Sequence, residues 1–375
     1  MFPTRKRFRS PFNYLVASGT EIIAPAIRAS ARLVSIGESS PPPEWQRGLL
    51  MGATHIGDML YNTGSLPHLA AGLPDCRWTW VAEAPASAVL AGNPCLEAVI
   101  SRADLSKQPR GKYDVAICYN SSSTWRDLIF AAKLGLPNRV GYADKGFSGL
   151  VTRSLQIRHP QPYPAYFRDL VSQVTGQPPT WSLQPRIYPN QSDEKLAAAV
   201  WDRHLLTAHL PVVACFVTSR QPYGVWPAES FAKTVAKLEA SGACSVILCG
   251  TKGDIPQLEL LKARFCLRSS IIAGELELLS LSCLLRRCAV VLCPDSGPRH
   301  IANAVGTRVV FVRNLAVGKI ETGAYCETEI DAAPDVEEVA TAAQPRAFKL
   351  LTPEQLAARV LESLSMNAAQ KIRSR

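Results

Sequence analysis

The chain has 375 residues, 47% hydrophobic and 19% charged, a globular composition on a length that predicts about two domains. A formal net charge of +10 asks for an anionic partner, and the absence of any apolar run near ~20 residues argues against a transmembrane helix. Eleven cysteines include no CxxC pair; Cys283, Cys288 and Cys293 recur every five residues, a spacing that suits no zinc site, so the set reads as half-buried free thiols of a reducing cytoplasm.

Basic residues open the chain: Arg5, Lys6, Arg7 and Arg9 fall within the first ten positions. On a helical wheel Ile22, Ile23, Ala26, Ile27, Leu33 and Val34 then share one side, and Glu21, Arg28 and Arg32 the other. Residues 1–45 therefore read as a basic extension carrying an amphipathic helix. Two readings stand: residues 1–36 lie on an anionic membrane surface, or the tail is disordered and the helix packs on the protein's own body. Glu21, Pro25 and Arg28 interrupt the apolar centre that a secretory signal needs. Ser39 to Pro43, SSPPP, breaks the chain before the folded body.

Short apolar runs then alternate with helical patterns. RGLLMGA, RWTWVAE, YDVAICY and RVGYA are predicted strands, and STWRDLIFAAKLG is a helix with a glycine at its end. Between about 176 and 190 the stretch GQPPTWSLQPRIYPN holds four prolines and reads as an interdomain linker. The alternation resumes with DEKLAAAVWDRHL (helix), PVVACFV (strand), PAESFAKTVAKLEASG (helix) and CSVILCG (strand). Next come LELLSLSCLLRRC (helix), AVVLC (strand), HIANAVG (helix) and RVVFV (strand), then TPEQLAARVLESL, a helix capped by Thr352. Such alternation implies parallel sheets in two doubly wound α/β domains, 46–180 and 191–350, with 351–375 a C-terminal helix and tail. Ligands of such sheets bind at the carboxyl ends of strands, here in the cleft between domains.

Two turns carry the candidate chemistry. In VVLCPDSGPRHIANAVG a strand ends at Cys293, Asp295-Ser296-Gly297 turn, and Pro298 stands where a helix starts. The N–H groups from Ser296 and Gly297 onward, with the helix dipole, can hold a phosphate, and Asp295 suits a sugar hydroxyl. Asp295 or Ser296 can equally cap the helix, and His300 can be a core histidine. In LLMGATHIGDML the strand LLMGA is followed by a turn from Thr54 to Gly57 and by Asp58 at the start of a helix. An ionised acid there can act as a general base, or it can cap the helix. His55 is open between acceptor contact and turn packing.

With these motifs in order, the chain resembles the ADP-heptose:lipopolysaccharide heptosyltransferases, glycosyltransferase family nine, from about residue 46 to about 345. HIGDML is similar to the family's signature turn, YDVAICYNSSSTWRDLIFAAKLGLPNRVGY to its N-domain segment, and WPAESF to a C-domain helix start. VILCGTKGD and PDSGPRHIANAVGT resemble its nucleotide-site strand and loop. The resemblance implies a GT-B fold, two Rossmann-like domains facing across a cleft. It implies inverting sugar transfer without metal from a nucleotide-sugar donor, ADP-linked, to a lipopolysaccharide or other glycan acceptor, at the cytoplasmic face of the inner membrane. On it Asp58 matches the catalytic base, and Asp295, Ser296, Gly297, Pro298 and His300 match the donor loop. Thr218, Ser219 and Arg220 lie where members contact the donor, and His55, Gly57, Ser122 and Arg126 fall on the acceptor side.

Two positions depart from the family pattern. Where many members carry a diphosphate-binding lysine, two residues before the Trp-Pro pair, this chain has Gly224, with Arg220 or Arg299 as candidate substitutes. Where members use an acid for the ribose, Thr251-Lys252 stand, and a lysine cannot accept a hydroxyl proton. A sugar-nucleotide epimerase or hydrolase of the same architecture, and a binding protein that has lost catalysis, are the rival readings. Nucleic acid is not an expected partner, because no stacking motif joins aromatic and basic residues.

Overall fold

The computed structural model describes residues 19, 44–52, 55–119, 124–142, 150–155, 160–204, 210–221, 223–336, 342 and 344–373. Apart from residues 19, 44 and 45, the expected basic extension and amphipathic helix lie outside the described residues, as does Ser122. The chain forms two compact units, Met1–Leu183 and Gln184–Arg375.

The first unit is built on six parallel strands: β1 Arg47–Met51, β2 Arg77–Val81, β3 Ala98–Ile100, β4 Val115–Cys118, β5 Asn138–Tyr142 and β6 Arg153–Leu155. Their order is β3-β2-β1-β4-β5-β6. The central β1 and β4 are apolar on both faces because helices cover both, and the pattern of β1 is one exposed residue followed by four buried ones. Leu49, Met51, Ala116 and Cys118 pack on Leu128 and Ala131 of the helix Thr124–Lys133. Beside the carboxyl ends of β2 and β4, Trp80, Tyr119 and Phe167 form an aromatic group; the Trp80 and Tyr119 rings meet edge-to-face at 5.4 Å.

The second unit has β7 Val212–Phe216, β8 Ser245–Cys249, β9 Ser270–Ile271, β10 Val290–Pro294, β11 Arg308–Val312 and β12 Glu329–Asp331. Their order, β12-β11-β10-β7-β8-β9, again places the first strand of the unit third or fourth in the sheet, with a crossover on each side of it. Both sheets therefore reverse direction of travel beside their first strand, β1 and β7, and such reversals open crevices at the carboxyl ends. The core joins Val213, Cys215, Val290, Leu292 and Val310 to Phe231, Val235 and Leu238 on one face of the helix Ala228–Ser241. The helix Pro353–Arg373 is no appendage, since Leu356 and Val360 are buried in this same core. Its cap is reciprocal: Gln355 N donates to Thr352 Oγ1, and Thr352 N donates to Gln355 Oε1.

The proline-rich stretch is tied to each unit near its middle. Trp181 Nε1 donates to Ser65 Oγ at 3.1 Å and its ring stacks on His68 at 4.2 Å, within the first unit. Gln184 Nε2 donates to the carbonyl of Asn303 at 3.1 Å, within the second.

The cysteines are buried more deeply than their scatter suggests. Eight of the eleven are buried, because they occupy strand interiors and core-facing positions; Cys95 and Cys326 are intermediate and Cys266 is exposed.

Candidate functional site

The turn after β1 differs from its expected boundaries. Gly52, at φ +144°, takes the chain off the strand in a conformation that favours glycine. The helix Ile56–Asn62 then begins two residues earlier than expected, so Gly57 lies in its first turn and Asp58 is its third residue. His55 is the N-cap and makes no side-chain cap hydrogen bond. Asp58 is therefore not the capping residue, and its carboxylate is 41% exposed beside the His55 ring, Oδ2 to Nδ1 3.4 Å. The helix is held by packing on Ala86–Leu90 and on Tyr163–Thr175, with Met59 and Leu60 buried. Arg126 is exposed in the first turn of Thr124–Lys133, after β4, the strand that pairs with β1.

The next residue, Asp127, is buried and pairs with Arg102. Burial pushes the Asp127 carboxyl up, against the downward pull of Arg102. Sequence reasoning missed this pair, because a lone acid within a helical pattern carries no motif.

In the second unit Ser296 is the N-cap of the helix Gly297–Ala304 and makes no side-chain cap hydrogen bond; its Oγ donates to the Pro294 carbonyl at 3.2 Å. Asp295 does not cap either. Its Oδ1 accepts from Arg299 Nη1 at 2.8 Å. Residues 295–298 are half-buried, so the backbone end of this helix is reachable from solvent. His300 is 9% exposed, with Nδ1 2.6 Å from the Tyr325 hydroxyl and the two rings stacked at 5.6 Å.

Arg299 is not the expected diphosphate cation. Its side chain is 1% exposed and all five of its N–H donors are committed inside the protein. Nε and Nη2 donate to Glu329, Nη1 to Asp295 and the Thr322 carbonyl, and Nη2 also to the Gly323 carbonyl. Its guanidinium carbon lies 3.7 Å from the Phe311 ring centroid. Burial alone would pull the Arg299 pKa down, and the carboxylates of Asp295 and Glu329 raise it instead. Glu329 is covered completely and also accepts from Asn303 Nδ2 and the backbone N–H groups of Tyr325 and Cys326. Nothing in the triplet Glu-Ile-Asp of β12 announces this role in the sequence.

Thr218 and Ser219 come after β7, half-buried, and Arg220 beyond them is exposed. Lys252 is exposed after β8. Neither cation pairs with a carboxylate among the described residues. The acid nearest Lys252 in sequence, Asp254, is occupied, because Thr251 N and Oγ1 both donate to its Oδ2 at 2.6 Å.

Gly224 has φ +70°, and a Cβ there would lie 2.0 Å from Asn314 Oδ1 and 2.8 Å from Ala316 Cβ. Its N–H donates to the Ala342 carbonyl and its own carbonyl accepts from Leu315 N–H, both at 3.0 Å. Neighbouring groups fill the space a lysine would need. Among the described residues, no three His, Cys, Asp or Glu side chains form a group that could hold a metal ion, and no helix is long and apolar enough to cross a membrane.

The family model for glycosyltransferase family 9 (heptosyltransferase) matches residues 102–312, more than half of the chain. The chain belongs to glycosyltransferase family 9. Its two sheets are the pair of Rossmann-like domains of the GT-B fold. Within the family it is 24% identical over 274 residues to the lipopolysaccharide core heptosyltransferase OpsX of Haemophilus influenzae, covering 68% of this chain and 75% of that one. The crystal structure of a family 9 glycosyl transferase from Veillonella parvula shares its fold, with TM-score 0.72 and 18% identity over 84% of this chain and 97% of that one. So does E. coli heptosyltransferase WaaC with ADP-2-deoxy-2-fluoro heptose, with TM-score 0.62 and 16% identity over 84% of this chain and 99% of that one.

Proposed function

We propose that this family 9 chain transfers a heptose-like sugar from an ADP-linked donor to a hydroxyl of a lipopolysaccharide or related surface-glycan acceptor, with inversion and without metal. One observation carries the reading: both acid-bearing turns stand at the carboxyl ends of central strands, and neither acid caps its helix. Residues 46–180 take the acceptor and 191–350 the donor.

Asp58, half-exposed on the first turn of its helix, accepts the proton of the acceptor hydroxyl as that oxygen attacks the anomeric carbon. The bond from that carbon to the diphosphate breaks on the opposite face, which inverts the centre. The departing diphosphate gains negative charge, and the Ser296 and Gly297 N–H groups with the dipole of Gly297–Ala304 stabilise it. Arg220 and Lys252, exposed after β7 and β8, supply the cations that Gly224 and Arg299 do not. Thr218, Ser219 and His300 complete the donor side, and His55, Gly57, Ser122 and Arg126 the acceptor side. A glycolipid acceptor places the enzyme at the cytoplasmic face of the inner membrane, where the basic start of the chain meets anionic lipid.

The test pairs ADP-heptose with lipopolysaccharide stripped of its heptoses. The wild type forms one new glycosidic bond with inverted anomeric configuration, seen by NMR. Asp58→Asn loses turnover by about 100-fold or more while binding ADP as before. Near-normal turnover in that variant sinks the assignment of Asp58. Donor breakdown without acceptor sinks the transferase reading.

A further inference from the structure

We infer that Arg299 is the positioning residue of the donor site: it holds Asp295 Oδ1, leaving Oδ2 to take a hydroxyl of the donor sugar, and so sets the preference for nucleotide sugar over bare nucleotide. The inference rests on the reading that the turn 295–297 receives the donor.

The geometry is that of a clamp with an open outer jaw. Two carboxylates, Asp295 and Glu329, flank one buried cation. Glu329 is completely covered and accepts five hydrogen bonds, from Arg299 Nε, Arg299 Nη2, Asn303 Nδ2, Tyr325 N and Cys326 N. Its capacity is filled, and its charge balances that of Arg299. Asp295 keeps 13% exposure and contributes one oxygen to Arg299. The excess negative charge of the group therefore resides on Asp295, where an incoming hydroxyl can donate to it.

Arg299 also fixes where that oxygen stands. It comes from the same helix turn as Ser296 and Gly297, and it is anchored to the Thr322 and Gly323 carbonyls at 2.8 and 2.6 Å. Asp295 is thus referenced to β10, β12 and the segment Lys319–Thr322 at once. A lysine at 299 would keep the charge but offer three donors in place of a planar fork of five, so the five acceptor oxygens could not all be met.

The sugar-dependent part of affinity separates this role from plain stability. Titration calorimetry would give the Kd of ADP and of ADP-heptose for the wild type, Arg299→Lys, Asp295→Asn and the double variant, with thermal denaturation as a control. Arg299→Lys is expected to leave ADP binding within twofold and to weaken ADP-heptose about tenfold or more, the size of one charged hydrogen bond. The double variant is expected to lose no more than Asp295→Asn alone, because both changes act through one carboxylate. Equal loss for ADP and ADP-heptose, or losses that add, overturns the proposal. Should Arg299→Lys fail to fold, Asp295→Glu serves: it keeps the ion pair, moves the outer oxygen, and is expected to lose the same preference. A retained preference overturns the proposal. Wild-type protein that binds neither ADP nor ADP-heptose overturns the donor reading and this inference together, while normal ADP-heptose binding by Asp295→Asn overturns the inference alone.

Discussion

Gly224 and Asn314 stand so close that any side chain at 224 would begin 2.0 Å from the Asn314 amide oxygen. The Asn314 side chain is itself held, with Nδ2 donating to the Tyr223 carbonyl and Oδ1 accepting from Ala316 N–H. The glycine at this position, where the resemblance leads one to expect a lysine, is thus built into the local backbone.

Restoring the lysine should therefore harm rather than help. Gly224→Lys forces a non-glycine residue to φ +70°, at about 1–2 kcal/mol, and adds overpacking of about 1–3 kcal/mol. Thermal denaturation should show a lowered Tm, and calorimetry no gain in ADP affinity. A variant with unchanged Tm and tighter ADP binding would show that the slot is open after all.

Arg220 and Lys252 should share the missing charge. Arg220→Ala is expected to weaken ADP binding on the order of tenfold, with a smaller loss for Lys252→Ala. Both losses should shrink as salt rises, because exposed cations act through solvent. An Arg220→Ala variant that binds ADP as the wild type does at low salt would remove Arg220 from the site.

Glu329 should make the second unit acid-sensitive. Burial pushes its pKa up from the ordinary 4.5, but the Arg299 guanidinium and hydrogen bonds from Asn303 and Tyr325 hold it lower. A folded-state pKa below the unfolded one contributes stability that is present above about 4.5 and lost as pH falls through the folded value. Denaturant midpoints measured from pH 7 to pH 3 should fall for the wild type. The fall below 4.5 should be shallower for Glu329→Gln, which starts less stable. Parallel curves for the two proteins would contradict the assignment.

Thiol labelling should report the fold. Native protein at pH 8 is expected to take alkylating reagent first at exposed Cys266 and more slowly at Cys95. Burial and the nearby Glu329 carboxylate push the Cys326 thiol well up, so it should lag. The eight buried cysteines should react only on unfolding. Rapid native labelling of Cys118 or Cys293, read by mass spectrometry of peptides, would be inconsistent with the packing.

The eight strands legible in the sequence are the eight inner ones: β1, β2, β4, β5, β7, β8, β10 and β11. Burial on both faces wrote most of each as apolar residues, as in Leu49, Leu50 and Met51 of β1 and in Val212–Phe216. The four that escaped, β3, β6, β9 and β12, are the sheet edges, two or three residues long and only part-buried, so Arg-Ser-Leu or Glu-Ile-Asp gives no signal. The same distinction governs the site. The turns at Asp58 and Asp295 were visible because strand, turn and helix are consecutive in the chain. The Arg299–Glu329 pair was not, because its partners are 30 residues apart and meet only through the register of β10, β11 and β12. Arg299 read as a cation free for ligand, since a sequence does not show that every donor is already used.

The fastening of the proline-rich stretch has a further consequence. Trp181 is tied by its contacts to the first unit and Gln184 to the second, so the chain has a natural seam at Ser182-Leu183. Two halves, each with its own six-stranded parallel sheet, and a seam of two residues form an exchangeable cassette. Recombination with another family member at that seam would carry each six-stranded sheet across whole, and new pairings of donor and acceptor would arise without either sheet being rebuilt.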